Sequence, residues 1–280
     1  MSRLPSDYPD QVRAAASYIT RICPHTPLLA LQLGTGLDGL AKQMDIEHVI
    51  PYADIPHFPE STVESHQGAL LIGSIGSSRI IVLSGRLHYY EGYSTSEITL
   101  PIRVLQTVGV KRLILTNAAG GLNPLFKPGT IMVIRDHLNF LGENPLRGVN
   151  IAEWGPRFPD LSEPYDPAMI KMMLDSADAS GVDRVVTGIY VCIPGPSLET
   201  PAETRWLRES GADAVGMSTV PEVIVANHAS MKVLGLSLVS NLNDPDNFQP
   251  ILLEDIIAEG RRAADRLAKL MLEFISRLED

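Results

Sequence analysis

Residues 194–222, PGPSLETPAETRWLRESGADAVGMSTVPE, carry the alternation that decides the fold. The apolar run Tyr190-Val191-Cys192-Ile193 enters this stretch, and a loop bounded by Pro and Gly and holding Glu199 follows it. Residues 201–210 then read as a helix. A second short apolar segment ends in Gly216-Met217-Ser218 and leads into another helix. Strand, loop, helix, strand, turn and helix in succession are the pattern of an α/β protein. Because Pro and Gly punctuate the backbone, Glu199 and Ser218 are expected on loops at strand ends, where α/β folds bind ligands. Taken alone, a loop glutamate is ordinary solvated surface and a serine at a helix start is an ordinary N-cap.

The same alternation extends outward in both directions. Val12, Ala15, Ala16, Ile19 and Ile22 recur at helical spacing and predict an opening helix over residues 8–22. Residues 28–33 are nearly all apolar, as in a strand buried on both faces, and run into Gly34-Thr35-Gly36. Such a turn can set backbone N–H groups and a hydroxyl against a phosphate, although the rest of a dinucleotide fingerprint is missing. Strands are expected at 69–75 and 79–83, the second leading into GRLHYYEGY at 85–93. Arg86 and His88 stand at alternate positions, so on an extended chain they face one side and can grip one anion. The plainer reading is a surface arginine and a histidine packed on tyrosines. A helix over 96–108 and a strand over 113–116 precede Asn117-Ala118-Ala119-Gly120-Gly121, which reads as a loop of small residues open to close approach. A short strand over 130–134 comes before Asp136-His137. Residues 139–166 are irregular and rich in Pro and Gly, which points to a functional or interface segment. Residues 167–179 read as helix and 185–193 as strand. The last long strand, 231–239, delivers Ser240-Asn241, and Ile257, Ala264, Leu267, Met271, Phe274, Ile275 and Leu278 mark a C-terminal helix over 254–278.

Composition bounds the function. With 280 residues, 45% of them hydrophobic, the chain can bury a large core, and no stretch reads as a linker. A net charge of −10 without any basic run argues against a nucleic-acid partner, so an anionic substrate must be held by a few local donors. Cys23 and Cys192 sit in apolar company without metal-type spacing and read as buried hydrophobes in a reducing compartment. Residues 1–16 hold no long apolar h-region and nowhere are there eighteen uninterrupted apolar residues, from which a soluble cytoplasmic protein with no membrane partner is expected.

The polar and glycine-bearing stretches therefore stand at the ends of successive apolar strands, and in a mostly parallel sheet such ends converge. In their order, and in TNAAGGLNP at 116–124 and GADAVGMSTVPEV at 211–223, they resemble the trimeric purine nucleoside phosphorylase family, relatives of the methylthioadenosine phosphorylases. The resemblance covers residues 29 to 260. It implies one α/β domain over 1–280, built on a mixed, barrel-like sheet flanked by helices, and a homotrimer. It also implies reversible phosphorolysis of purine nucleosides to free base and ribose 1-phosphate, a pentosyl transfer of purine salvage. Inorganic phosphate is the co-substrate, and no metal or organic cofactor is expected. By position, Thr35, Arg86, His88, the backbone at Ala118 and Ser218 hold phosphate. Tyr90 and Met217 line the ribose, and Phe158 reaches a neighbouring subunit's sugar. Glu199 and Asn241 grip the base between Leu198 and Val215, and Tyr190 stands beside the base loop. His66 matches a family histidine near the phosphate. His88, Glu199 and Asn241 are the catalytic candidates.

The chemistry agrees with this assignment. Cleaving a purine N-glycosidic bond leaves positive charge on the sugar and negative charge on the base, so the site needs a nearby anion and donors to the base. An ionised Glu199 only accepts hydrogen bonds, which suits N1–H of a 6-oxopurine, while Asn241 can donate to N7 and O6. The adenosine-type relatives carry aspartate there, so Asn241 favours inosine and guanosine. Three departures from the family pattern stand out: Thr35 replaces serine, Leu198 replaces phenylalanine, and no histidine follows His228. Leu253 aligns with the family histidine near the 5′-hydroxyl. Either the 5′-hydroxyl meets water or another group, or 5′-deoxy and 5′-methylthio nucleosides are tolerated. A methylthio-nucleoside phosphorylase, a purine-binding regulator without turnover and a hydrolytic nucleosidase remain as alternatives.

Overall fold

The computed structural model describes residues 4–34, 38–60, 68–250 and 252–278. The strands are β1 Leu29–Gln32, β2 Asp45–Pro51, β3 Ala69–Ile75, β4 Ser78–Ser84, β5 Arg112–Gly121, β6 Ile131–Asn139, β7 Val185–Cys192, β8 Ala214–Gly216 and β9 Lys232–Leu242. They form one mixed sheet in the order β2-β3-β4-β1-β5-β8-β7-β6-β9, and β9 returns to pair with β5. The last five strands of that order therefore close into a ring, and β1, β4, β3 and β2 extend from it as a tail.

Strand β5 makes both the closure and the site. Its first half pairs with β1 on one side and β9 on the other, both parallel. At Gly120 and Gly121 it still pairs with β9, but its other neighbour is now β8, antiparallel. The register against β9 slips between Ala119 and Gly120 as this happens. Strands β1 and β8 thus diverge from one another along β5, and the sheet splits where Asn117, Ala118 and Ala119 run. A split of this kind is where α/β sheets place ligands. Small residues permit it: a Cβ on Gly121 would lie 2.8 Å from Leu242 Cδ2 and 2.9 Å from Val239 Cγ1.

Helices α1 Tyr8–Ile22, α2 Thr95–Ile98, α3 Leu100–Thr107, α4 Pro167–Ser180, α5 Pro201–Glu209, α6 Val220–His228 and α7 Leu253–Ser276 flank the sheet. Two large apolar clusters hold them. Leu70, Ile81 and Leu115 pack with the inner faces of α1, α3 and α6. Leu31, Val82, Ile114 and Leu236 pack with Met173 of α4 and Leu267, Met271 and Phe274 of α7. The single α/β domain with a barrel-like mixed sheet is as the resemblance implies.

Several boundaries differ from the expectation. The supposed loop 117–121 is the second half of β5, because its backbone completes the ladders to β8 and β9. Asp136 and His137 lie within β6, paired to Ile189 and Tyr190 of β7. The helix over 96–108 is two helices, α2 capped by Ser94 and α3 with a proline in its first turn. Strand β2 escaped the sequence reading because it lies at the sheet edge, mostly exposed, and so lacks an apolar signature.

Beneath α3 and α6, Arg103 Nη2 donates to His228 Nδ1 at 2.9 Å, and His228 Nε2 donates to Asn150 Oδ1 at 3.2 Å. Burial, and then the Arg103 cation, lower the His228 pKa to about 4 from its ordinary 6.5. Between those values the unfolded chain binds a proton that the folded chain refuses, so stability falls as pH falls through that window. Thermal denaturation should show Tm dropping more steeply from pH 6.5 to 4 in the wild type than in His228→Gln. Equal slopes would remove His228 as the cause.

Candidate active site

A cavity of about 390 Å³ opens at the split between β1 and β8. Gly34, Arg86, His88, Ala118 and Ser218 line one end of it. Arg86 follows β4 and is 2% exposed, with every nitrogen of its guanidinium engaged. Nε donates to Glu222 Oε1 at 3.0 Å, and Nη1 donates to Thr116 O at 2.8 Å and to Ser218 Oγ at 3.3 Å. Nη2 donates to Gln32 Oε1 at 3.3 Å. The cation is thus aimed before any ligand arrives, and its charge is balanced by a buried carboxylate of α6. His88 Nδ1 sits 2.9 Å from Glu91 Oε1, which also accepts from the His88 backbone N–H at 2.8 Å. The imidazole stacks on Tyr90, with centroids 4.7 Å apart. An ionised carboxylate can only accept, so Glu91 holds Nδ1–H and fixes the orientation of the ring at this end of the cavity.

Ser218 is aimed by its neighbour. Thr219 has φ 74° and ψ −49°, and the Val220 N–H donates to Ser218 O at 2.8 Å, so Ser218 to Val220 form a γ-turn of the strained kind. The turn persists because Thr219 is fully buried and its Oγ1 accepts from Asn117 Nδ2 at 2.9 Å. Strain of this kind concentrates at ligand clamps.

The other end is built by the loop before α5 and by the end of β9. Thr200 caps α5 through Glu203, in a reciprocal capping box with Pro201 in the first turn, and this fixes the residue just before it, Glu199. Glu199 is 7% exposed, and its Oε2 accepts from Asn243 Nδ2 at 2.8 Å. Burial, aided by the Glu203 charge, pushes the Glu199 carboxyl above its ordinary range, against hydrogen bonds from its own backbone and from Asn243. Leu198, Val215, Met217, Tyr90 and Asn241 complete the walls.

A family model described as the phosphorylase superfamily matches residues 29–276. Purine nucleoside phosphorylase 1 of Bacillus subtilis is 44% identical over 96% of this chain and 99% of its own. Purine nucleoside phosphorylase 1 of Geobacillus stearothermophilus is 48% identical over 88% of this chain and 89% of its own. The chain belongs to the purine nucleoside phosphorylase family. Among solved structures, isoform 2 of the Schistosoma mansoni phosphorylase, in complex with cytosine and ribose-1-phosphate, superposes with a TM-score of 0.92 at 43% identity, covering 96% of this chain and 97% of that one. A schistosoma purine nucleoside phosphorylase in complex with hypoxanthine also gives 0.92, at 36% identity over all of both chains.

In this phosphorylase most of the candidates read from sequence meet in one cavity: Arg86, His88, Ala118 and Ser218 with Tyr90, Leu198, Glu199, Val215, Met217 and Asn241. Tyr190 does not. It is fully buried behind the wall, where its hydroxyl accepts from the Ser218 N–H at 3.4 Å. Gly216 lies against that hydroxyl so closely that a Cβ there would stand 2.3 Å away. Tyr190 thus stands behind Ser218 and is not among the residues that line the cavity. Phe158 is 86% exposed and is not among the residues lining this chain's own cavity. Thr35 and His66 lie outside the described residues, as does the side chain of Leu253.

Sequence reasoning missed Glu222, Asn243 and Ile256. Glu222 had a signal, since it is the lone charge in the apolar run 220–226. Asn243 follows Asn241 by two and so shares its side of an extended chain. Ile256 falls within the predicted C-terminal helix but not among the apolar positions that marked it, yet it lines the cavity.

Proposed function

We propose that the protein catalyses reversible phosphorolysis of 6-oxopurine nucleosides, ribo- and deoxyribo-, giving free base and the pentose 1-phosphate. The observation that carries this reading is one cavity with an anion-gripping end, Arg86, His88 and Ser218, and a buried acceptor, Glu199, at the other. Inorganic phosphate binds at the first end with help from the Ala118 backbone, and Thr35 belongs to this group by resemblance. The purine lies between Leu198 and Val215, with its N1–H on Glu199 and its N7 edge toward Asn241. The ribose lies between them against Tyr90 and Met217. As the C1′–N9 bond lengthens, the electron pair leaves with the base and the sugar becomes oxocarbenium-like. Phosphate stabilises that cation and then bonds to C1′, while donors to the base take up the departing charge. Arg86, Ser218 and His88 aim the nucleophile. The enzyme assembles as a homotrimer in the cytoplasm, with the exposed Phe158 offered to a neighbour's sugar.

Base release from inosine and from 5′-methylthioadenosine, each with and without phosphate, tests the reading. Fast, phosphate-dependent release from inosine supports it. Release without phosphate would indicate a hydrolase, and binding without release a purine sensor. The missing histidine after His228 and the apolar Ile256 in the cavity wall support the methylthio reading, and a higher kcat/KM for methylthioadenosine would favour it. The raised Glu199 carboxyl has a further consequence. kcat/KM for inosine should fall toward acid with a midpoint above the ordinary 4.5, because one oxygen already accepts from Asn243 and a proton taken up on the other turns the acceptor that faces N1–H into a donor. An acid limb at or below 4.5 would count against Glu199 as the base acceptor.

A further inference from the structure

Asn243 lies just beyond β9 and is 2% exposed. It is fixed from several directions: its backbone N–H donates to Gly121 O at 2.9 Å, and its carbonyl accepts from Arg208 Nη2 at 3.0 Å. A Cβ at Gly120 would come within 3.0 Å of Nδ2 and 3.1 Å of Oδ1, so the glycine makes room for this amide. The side chain links the two base-binding candidates. Its Nδ2 donates to Glu199 Oε2 at 2.8 Å, and its Oδ1 accepts from Asn241 Nδ2 at 2.6 Å. Asn241 Oδ1 in turn accepts from Ser240 Oγ at 2.8 Å.

The polarity of this chain is set from one end. An ionised carboxylate can only accept, so the Asn243 atom facing Glu199 must be its NH₂. Its oxygen then faces Asn241, which must answer with its own NH₂, and the Asn241 oxygen falls to the Ser240 hydroxyl. Asn241 is left with a second N–H to give away, and Glu199 with a second oxygen to accept.

We infer that Asn243 is a positioning and specificity residue: it transmits the charge of Glu199 to Asn241, so that one acceptor and one donor are presented to the base in a fixed arrangement. This rests on the phosphorolysis reading and adds to it the device that selects 6-oxo over 6-amino purines. An adenine needs a donor toward N1, which this chain of hydrogen bonds withholds.

Near-isosteric swaps test it. In Glu199→Gln the residue facing Asn243 is an amide that can point either way, and an Asn243 NH₂ draws its oxygen to itself and leaves its NH₂ toward the base. Adding Asn243→Asp reverses this: the new carboxylate claims the NH₂ of the introduced glutamine, returns the glutamine oxygen to the base and still accepts from Asn241. The double variant should recover inosine kcat/KM about tenfold or more over Glu199→Gln alone, a gain that loss of structure cannot produce. Asn243→Leu should raise KM for inosine about tenfold while KM for phosphate changes less than about twofold. If the double variant is no better than Glu199→Gln, or does not fold and Asn243→Leu leaves the inosine KM unchanged, the inference is overturned. Wild-type turnover separates the two layers. A wild type that releases no hypoxanthine from inosine and phosphate overturns the functional reading and this inference together. Normal wild-type turnover without recovery overturns the inference alone.

Discussion

Glu199→Gln should lower kcat/KM for inosine by roughly 10²–10³, the scale found when one preorganised hydrogen-bonding group is lost from an active site. Glu199 is nearly buried, and Asn243 occupies one of its oxygens. The other is left to accept N1–H of a 6-oxopurine. A glutamine in the same place sets an NH₂ against that N1–H or turns its oxygen there only by upsetting the pair with Asn243. Each choice leaves a buried donor without a partner, which is why sites of this kind discriminate strongly. Steady-state kinetics on inosine and adenosine side by side provide the check. The loss should be large for inosine and small for adenosine, whose N1 carries no proton. Near-normal inosine turnover in the variant would show that the base does not sit on Glu199.

Glu222→Ala should destabilise the fold by about 3–5 kcal/mol, the range for removing one partner of a buried ion pair. Both Arg86 and Glu222 side chains are 1% exposed, and Nε and Oε1 are 3.0 Å apart. Without the carboxylate, the guanidinium stays in the core as an uncompensated charge beside Thr116 O and Gln32 Oε1. At about 2–4 °C per kcal/mol for a chain somewhat smaller than this one, Tm should drop by roughly 10 °C at fixed protein concentration. KM for phosphate should rise as well, because Glu222 holds the guanidinium at the angle that faces the cavity. A Tm within about 2 °C of the wild type would mean that Arg86 re-pairs elsewhere and that the ion pair is dispensable.

The legible part of the site consists of residues whose types are unusual for their place. Arg86 and His88 at alternate positions after an apolar strand, and Glu199 in a loop bounded by Pro and Gly, are legible because charged side chains stand at the ends of buried strands. What stayed hidden lies one layer behind. Glu222 and Asn243 act through Arg86 and Glu199, from 136 and 44 residues away in sequence. No local spacing links them. Tyr190 shows the converse. Its position next to the base loop suggested contact, but strand alternation turns its ring to the closed side, against Gly216.

By itself the sequence determined the alternation of buried strands with amphipathic helices, the ends at which polar residues gather and the family to which those ends are similar. These follow from periodicity and side-chain type, which each segment carries regardless of its neighbours. The tertiary structure alone decided that β5 exchanges β1 for β8 at Gly120, that β9 closes the ring, and that an amide at 243 joins Glu199 to Asn241. Those outcomes depend on which strand lies beside which, a choice made by packing two apolar faces at once, and no single segment encodes it.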